Sequence, residues 1–205
     1  MLTTSLGDAF RSFCEREGVD YERVRDALRK AYGDADPESL VARFETGRLE
    51  TDHFQRELSA ILSEGLEQPI AAENLIPRML QDLHLDREMI RAVRAARAAG
   101  IRTALLSNSW GVEYYPHDLL EELFEQIVIS GQVGLRKPDP AIFEMAIERI
   151  GLPASDCLFV DDLHHNIEAA EEAGLRGVLH EEASGTIPEL EQLLGVSLRD
   201  AVDTL

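Results

Sequence analysis

The chain has 205 residues, enough for one sizeable hydrophobic core or for a core with a small second unit. Its 39 acidic and 20 basic residues give a net charge of −19, which repels phosphate backbones and anionic lipid surfaces. Nucleic acid and membranes are therefore not expected partners. The sequence has two cysteines, no apolar run long enough to span a membrane and no N-terminal signal pattern, which together predict a cytoplasmic protein.

Residues 1–85 are predicted to form only helices, because their apolar residues recur at three- and four-residue spacing. Phe10 and Phe13 mark the first of these helices. Asp36 followed by Pro37 predicts an N-cap and a first helical position, which would open a helix over residues 38–44. A small helical domain is therefore expected over residues 1–85. Its other predicted helices include Val24, Ala27, Leu28 and Ala31, then residues 51–62, then residues 72–80.

From residue 86 onward, predicted strands alternate with helices, which indicates a parallel sheet with helices on both faces. The fold class is therefore α/β, with a Rossmann-like core over residues 86–205. Asp139 and Pro140 predict a capped helix start inside this core. The strands are predicted at residues 101–106, 127–129, 158–160 and 175–179. The helices are predicted at residues 88–99, 117–124, 140–150, 166–173 and 187–194, and the tail from Ser197 is expected to add a last turn.

Two adjacent acids, Asp161 and Asp162, directly follow the predicted strand at residues 158–160. The carboxyl ends of parallel strands are where open α/β sheets bind ligands. Two carboxylates this close repel each other, so a cation is needed to keep both ionised, and oxygen ligands suit Mg²⁺. The pair therefore predicts a magnesium site. The alternative is that Asp162 only caps the helix that follows.

Polar side chains also follow two other predicted strands. Ser107 and Asn108 could donate hydrogen bonds to a phosphoryl oxygen, although such a pair also caps helices. Lys137 lies in the turn 134–140, where two prolines fix the backbone and could aim its ammonium inward at a phosphoryl group. The alternative for Lys137 is a surface lysine in a rigid turn. Trp110 either lines the same pocket as a substrate contact or packs against the helical domain.

Taken in order, residues 105–108, 134–140 and 159–162 resemble the haloacid dehalogenase-like hydrolase superfamily. The branch that they resemble holds the N-terminal phosphatase domain of soluble epoxide hydrolase. The resemblance implies that Ser107 and Asn108 bind a phosphoryl group. It also implies that Lys137 neutralises the negative charge of the nucleophile and of the substrate. It implies that Asp161 and Asp162 carry Mg²⁺, with Asp162 as the direct ligand.

The resemblance also bears on the substrate and on the first 85 residues. The helical domain would be a cap that gates the site and sets substrate choice. The expected reaction is hydrolysis of a small phosphorylated metabolite. The sequence leaves open which metabolite this is and whether the protein is a monomer or a homodimer.

One part of the family pattern is missing from this sequence. The family begins with an apolar strand that ends in Asp-x-Asp, whose first acid is the nucleophile, and the resemblance here begins just after that point. Asp8 follows no strand and Asp34-Ala35-Asp36 lies between helices, so neither is assigned as the nucleophile. We therefore expect a sheet without its central first strand and a chain without phosphatase activity. A start codon assigned too far downstream, or a shortened sequence, would explain this.

Two other functions remain open at this point. A 2-haloacid dehalogenase belongs to the same superfamily but needs no magnesium, and the double acid argues against it. A non-catalytic module would keep the fold, bind phosphate or Mg²⁺, and lack the nucleophile; such a pseudoenzyme could be regulatory.

Overall fold

The first half of the chain forms a helical bundle, as predicted from its apolar spacing. In the computed structural model, residues 2–33 and 36–199 are described. The bundle consists of α1 (Leu6–Glu17), α2 (Tyr21–Tyr32), α3 (Leu40–Glu45), α4 (Thr51–Ser63) and α5 (Leu75–Met79). Helices α1, α2 and α3 begin after Ser5, Asp20 and Ser39, whose side chains each accept a hydrogen bond from a main-chain N–H of the first turn.

The interior of the bundle is apolar and includes one side chain from outside it. The Phe44 and Phe54 rings stack with their centroids 3.9 Å apart. Trp110, which lies well beyond the bundle in sequence, inserts its ring 5.5 Å from Phe10 and 5.7 Å from Phe54. The bundle core is therefore completed by a residue from the second half of the chain.

The second half alternates strands and helices. It consists of α6 (Arg87–Ala98), β1 (Ala104–Ser107), α7 (His117–Leu123), β2 (Gln126–Ile129), α8 (Ser130–Val133), α9 (Pro140–Ile150), β3 (Leu158–Asp161), α10 (His164–Glu172), β4 (Arg176–Leu179) and α11 (Ala183–Leu194). Short 3₁₀ turns lie at Val112–Tyr114 and Ala154–Asp156. The Asp139 side chain accepts from Ala141 N with Pro140 at the first helical position, which confirms the predicted start of α9.

The four strands form two parallel pairs. β1 pairs with β2, with Ala104 opposite Gln126, and β3 pairs with β4, with Leu158 opposite Arg176. No ladder joins the two pairs within residues 2–33 and 36–199. The predicted α/β class is confirmed, and the two short parallel pairs agree in part with the expected sheet that lacks its first strand. Each strand has only one neighbour in its pair, and Leu106 of β1 and Phe159 of β3 are only partly buried.

Helices cover both faces of each strand pair, as adjacent side chains of a strand point to opposite faces. On β1, Leu105 packs in a cluster with α6 and α7, whereas Leu106 packs in a cluster with α9 and α10. On β3, Val160 packs with α6 and α11, whereas Phe159 packs in the same α9–α10 cluster as Leu106. Shared helices therefore hold the two pairs side by side.

Several predicted boundaries differ from the structure. The predicted N-cap Asp36 accepts from Glu38 N, but α3 begins later, at Leu40, because the Ser39 hydroxyl caps it. The predicted strand 101–106 is observed as Ala104–Ser107, since residues 99–101 continue the turn that follows α6. Helix α10 starts two residues earlier than predicted, and α11 starts four earlier. Pro188 lies inside α11.

The two halves of the chain are also tied together near residue 85. Thr3 and Leu85 form an antiparallel bridge, and Asp86 N donates to Leu2 O. Asp34 and Ala35 of the rejected Asp34-Ala35-Asp36 motif, and the end of the predicted tail helix, lie outside the described residues. Among the helices that the structure describes, none is long and apolar enough to cross a membrane.

Candidate active site

A buried lysine connects the carboxyl ends of β1 and β3. The Lys137 side chain is 8% exposed, and its Nζ lies 2.5 Å from Asp161 Oδ2 and 3.2 Å from the carbonyl oxygen of Leu106. The turn before α9 therefore aims the ammonium inward, and the alternative of a surface lysine is wrong. The geometry brings the predicted Lys137 into contact with Asp161, the first acid of the predicted pair.

The Asp161 carboxylate uses both of its oxygens for contacts within the protein. Its Oδ1 accepts from Leu163 N at 3.0 Å and from Asn166 Nδ2 at 2.8 Å, while Oδ2 accepts from Lys137. Burial alone would raise the pKa of Asp161, but the Lys137 ammonium and these hydrogen bonds together lower it. The Lys137 ammonium and these hydrogen bonds therefore favour the ionised form of Asp161.

Asp162 follows at the same strand end and is exposed. Helix α10 has no side-chain cap, so the alternative role of Asp162 as its N-cap is not observed. Within the described part of the chain, no three His, Cys, Asp or Glu side chains converge as a metal site. Mg²⁺ commonly uses one or two carboxylates together with water and substrate phosphate, so one free carboxylate here fits part of such a site.

The predicted phosphate-binding pair makes contacts inside the protein. Asn108 Oδ1 accepts from Lys137 N at 2.8 Å, and Asn108 Nδ2 donates to Lys137 O at 3.0 Å. The Ser107 hydroxyl lies 2.8 Å from Tyr115 Oη. Asn108 thus fixes the main chain of Lys137 by bonding both its N–H and its carbonyl group. The sequence did not indicate this contact. A phosphate contact by Ser107 or Asn108 stays a prediction.

Trp110 is 8% exposed and lies in the bundle interior described above. Its indole Nε1 donates to Glu45 Oε1 at 3.2 Å. This environment matches the packing alternative for Trp110. A contact between Trp110 and substrate stays a prediction.

Glu45 is the acid that sequence reasoning did not assign to the site. It is the last residue of α3, only 2% exposed, and surrounded by Asn108, Trp110 and Arg136. Burial raises its pKa to about 7, against the opposing effects of the Arg136 charge, the Trp110 hydrogen bond and the Lys137 charge. A signal was present: Glu45 falls four residues after Val41, on the buried face of α3. An acid on an apolar helix face is a candidate for a buried partner.

The fold and site define a class of protein: an α/β protein with a helical bundle at the carboxyl ends of its strands and a buried lysine–aspartate pair that connects β1 and β3. The profile of the haloacid dehalogenase-like hydrolases matches residues 5–174. The chain belongs to this family.

Curated relatives agree with the family. The sequence is 31% identical to the sesquiterpene phosphatase astK of Aspergillus oryzae over 159 residues, which is 75% of this chain and 78% of that protein. It is 30% identical to mouse acyl-CoA dehydrogenase family member 10 over 76% of this chain, and 22% identical to rat bifunctional epoxide hydrolase 2 over 86%. The matched regions span only 15% and 34% of those two longer proteins. The predicted resemblance to the epoxide hydrolase branch is thereby confirmed.

Solved structures share the fold. A predicted HAD-like family hydrolase from Porphyromonas gingivalis superposes with a TM-score of 0.62 at 23% identity, covering 85% of this chain and 90% of that one. A HAD family enzyme from Bacteroides thetaiotaomicron, in complex with magnesium and inorganic phosphate, gives a TM-score of 0.54 at 17% identity. It covers 78% of this chain and 85% of its own.

Proposed function

We propose that this protein is a magnesium-dependent hydrolase of the phosphatase type that handles small phosphorylated metabolites. The observation that carries the proposal is the Lys137–Asp161 contact between the ends of β1 and β3. A buried ammonium at this position can attract a phosphoryl group and stabilise charge that develops on it. The relative astK, named a phosphatase, supports the same reaction class.

The proposed roles follow from the contacts. Lys137 neutralises the bound phosphoryl group, and Asn108 holds the main chain that carries it. A hydroxyl has one donor and two acceptor sites, so Ser107 can accept from Tyr115 and still donate to a phosphoryl oxygen. Asp162, with its free carboxylate, would be the direct ligand of Mg²⁺, and Asp161 would orient Lys137. Bound Mg²⁺ would add positive charge against the phosphate oxygens.

The remaining organisation is proposed on the same basis. Residues 1–85 would act as the cap that sets substrate choice, and residues 86–205 as the catalytic core. The protein would work in the cytoplasm as a monomer or homodimer.

Catalytic competence of the chain on its own is a separate matter. In the described residues, Asp161 is the one carboxylate within ion-pair distance of Lys137, and both of its oxygens are taken by protein donors. An acid that is held in this way is a poor nucleophile. We therefore expect residues 1–205 alone to bind phosphate without hydrolysing phosphate esters. The same observation favours the second candidate function, a non-catalytic module that binds phosphate.

Titration calorimetry of the 205-residue chain with inorganic phosphate, in the presence and absence of Mg²⁺, tests the proposal. We expect binding that Mg²⁺ strengthens, with the Mg²⁺ effect lost in Asp162→Asn and kept in Glu168→Gln, which removes a nearby exposed charge. In an assay with an aryl phosphate, absence of turnover is the expected result for residues 1–205 alone, and turnover would favour the hydrolase over the non-catalytic module. No phosphate binding by the folded chain would contradict both.

A further inference from the structure

Glu45 is the buried link between the helical bundle and the site. An acid is almost never fully buried unless it is paired, and Glu45 at 2% exposure needs a structural reason. It ends α3 in the bundle, yet its partners all belong to the loops at the carboxyl ends of β1 and β2 or to the helix that follows β2. Its burial is thus created by the contact between the two halves of the chain.

Two hydrogen-bond donors and one cationic side chain surround the Glu45 carboxylate. Asn108 Nδ2 lies 3.3 Å and Arg136 Nε 2.7 Å from Oε2, and Trp110 Nε1 lies 3.2 Å from Oε1. A carboxyl group has two oxygens that can each accept a hydrogen bond, so Glu45 can contact several partners at once. The side chain therefore joins the bundle to two separate loops of the α/β half.

The main chain of Glu45 is fixed as well. Its carbonyl oxygen accepts from Ser130 Oγ at 2.6 Å, and Ser130 Oγ accepts from Ser109 N at 2.8 Å. Both Ser130 and Glu45 are buried. The end of α3 is consequently held at its carbonyl and at its side chain, so the carboxylate has little freedom to leave its partners.

These contacts lead directly to the catalytic lysine of the proposed function. Asn108, which donates to Glu45, also bonds both the N–H and the carbonyl of Lys137, and Arg136 is the residue before Lys137. We propose that Glu45 is a positioning residue that latches the bundle onto the site and holds the Lys137 main chain through Asn108 and Arg136. The latch itself does not depend on the proposed function, whereas the effect of the latch on phosphate binding rests on that function.

The charge of Glu45 gives the latch a pH dependence. The charged groups that face it are Arg136 and Lys137, while Tyr32 and Tyr115 face it in neutral form because burial raises the pKa of each phenol. The pKa of Glu45 is about 7 in the closed arrangement and 4.5 for an ordinary glutamate. The closed state thus holds the proton more tightly, and by linkage lower pH favours closure. Raising the pH through about 7 therefore favours opening.

The sequence supplies two reporters for the test. Trp110 is the only tryptophan, and Lys30 and Lys137 are the only lysines. Quenching of Trp110 fluorescence by acrylamide reports release of the bundle. The rate at which Lys137 is acetylated by a soluble anhydride, measured by mass spectrometry against exposed Lys30, reports the site.

In the wild-type chain we expect quenching of Trp110 and the Lys137-to-Lys30 labelling ratio to rise together between pH 6 and pH 8. Glu45→Gln removes the titrating carboxyl group and keeps a carbonyl acceptor. Trp110 quenching and the labelling ratio should therefore stay low in this variant and should not change with pH. Glu45→Ala should raise both at every pH, by about two-fold or more, since a released segment opens locally. Exposed Glu67→Gln is the matched control and should behave as wild type.

A labelling ratio that is the same in Glu45→Ala and wild type, with cooperative unfolding retained, would overturn the positioning role. An Ala variant that fails to fold leaves the Gln variant to decide: a pH response equal to that of wild type would also overturn it. Inorganic phosphate titrations of the same variants keep the proposals apart. If neither the wild type nor any variant bound phosphate while the Trp110 and Lys137 reporters behaved as expected, only the proposed function would be contradicted.

Discussion

The Lys137 ammonium lies 2.5 Å from the Asp161 carboxylate and bridges the ends of two strands that share no backbone ladder. The positive charge of Lys137 and the negative charge of Asp161 neutralise each other, so neither charge is buried without a partner. Asp161 in turn is oriented by Asn166, so the position of the ammonium depends on both strand pairs. The relationship gives the site its geometry before any ligand is bound.

Removing the lysine should therefore destabilise the protein as well as the site. Lys137→Met leaves Asp161 buried without its cation, which should lower the free energy of unfolding by about 3–5 kcal/mol in urea denaturation. The double variant Lys137→Met/Asp161→Leu should recover part of that loss, because no charge is then left unpaired. Lys30→Met, at an exposed lysine, should change stability by less than about 0.5 kcal/mol. Equal stability of Lys137→Met and wild type would contradict the pairing.

The pKa of Asp161 is lowered in the folded protein, which predicts the direction of a pH effect. Its ionised form stabilises the fold at pH values above the ordinary value of 3.8, and this stabilisation is lost as the pH falls below that value. The stability difference between wild type and Asp161→Asn should thus be constant near neutrality and shrink below about pH 4 in denaturation series. Asp162→Asn, at the neighbouring exposed acid, is the matched control. A difference that grows in acid would refute the assigned sign.

Trp110 should contribute to stability through its ring and through its N–H. Trp110→Ala leaves a cavity in the bundle and should cost about 3–5 kcal/mol. Trp110→Phe keeps an aromatic ring but removes a donor from buried Glu45, for which we expect about 1–3 kcal/mol. Exposed Tyr114→Phe is the control, with an expected change below about 0.5 kcal/mol in the same urea titration. If the Phe variant matched wild type, the hydrogen bond to Glu45 would contribute nothing.

Gly47 allows the loop after α3 to approach α8. Its φ is +71°, and an added Cβ would lie 2.5 Å from the carbonyl oxygen of Gly131. Gly47→Ala should therefore cost more than Gly18→Ala, where φ is +68° but nothing lies within 4 Å of the added carbon. Strain alone should cost about 1 kcal/mol at either position, and the clash should add about 1–3 kcal/mol at Gly47. Thermal melts of the two variants compare them; equal losses would exclude the clash.

Local sequence signals were enough to predict much of the fold. The alternation of elements after residue 86 and the Asp139–Pro140 start of α9 depend on neighbouring residues, and both predictions are confirmed. The start of α3 was missed because Asp36 and Ser39 both have capping side chains, and only the folded chain selects Ser39.

The site was predictable where its residues follow strands and not where they depend on the bundle. Lys137 and Asp161 meet because parallel strands end at one edge, which the sequence pattern implies. Glu45 is buried by Asn108 and Trp110, 63 and 65 residues away in sequence. No local pattern encodes contacts at such separations, so the acid was indistinguishable from a solvated one apart from its position on the helix.

The exchange of Trp110 and Glu45 across the boundary limits how modular this protein can be. Trp110 of the second half completes the interior of the bundle, and Glu45 of the bundle is buried among residues of the second half. A fragment that ends near residue 85 would have a hole where the indole belongs, and its partner fragment would expose that indole to water. The boundary near residue 85 thus separates two kinds of architecture that share one side chain in each direction, and we expect that exchanging the bundle for another would also require matching these two positions.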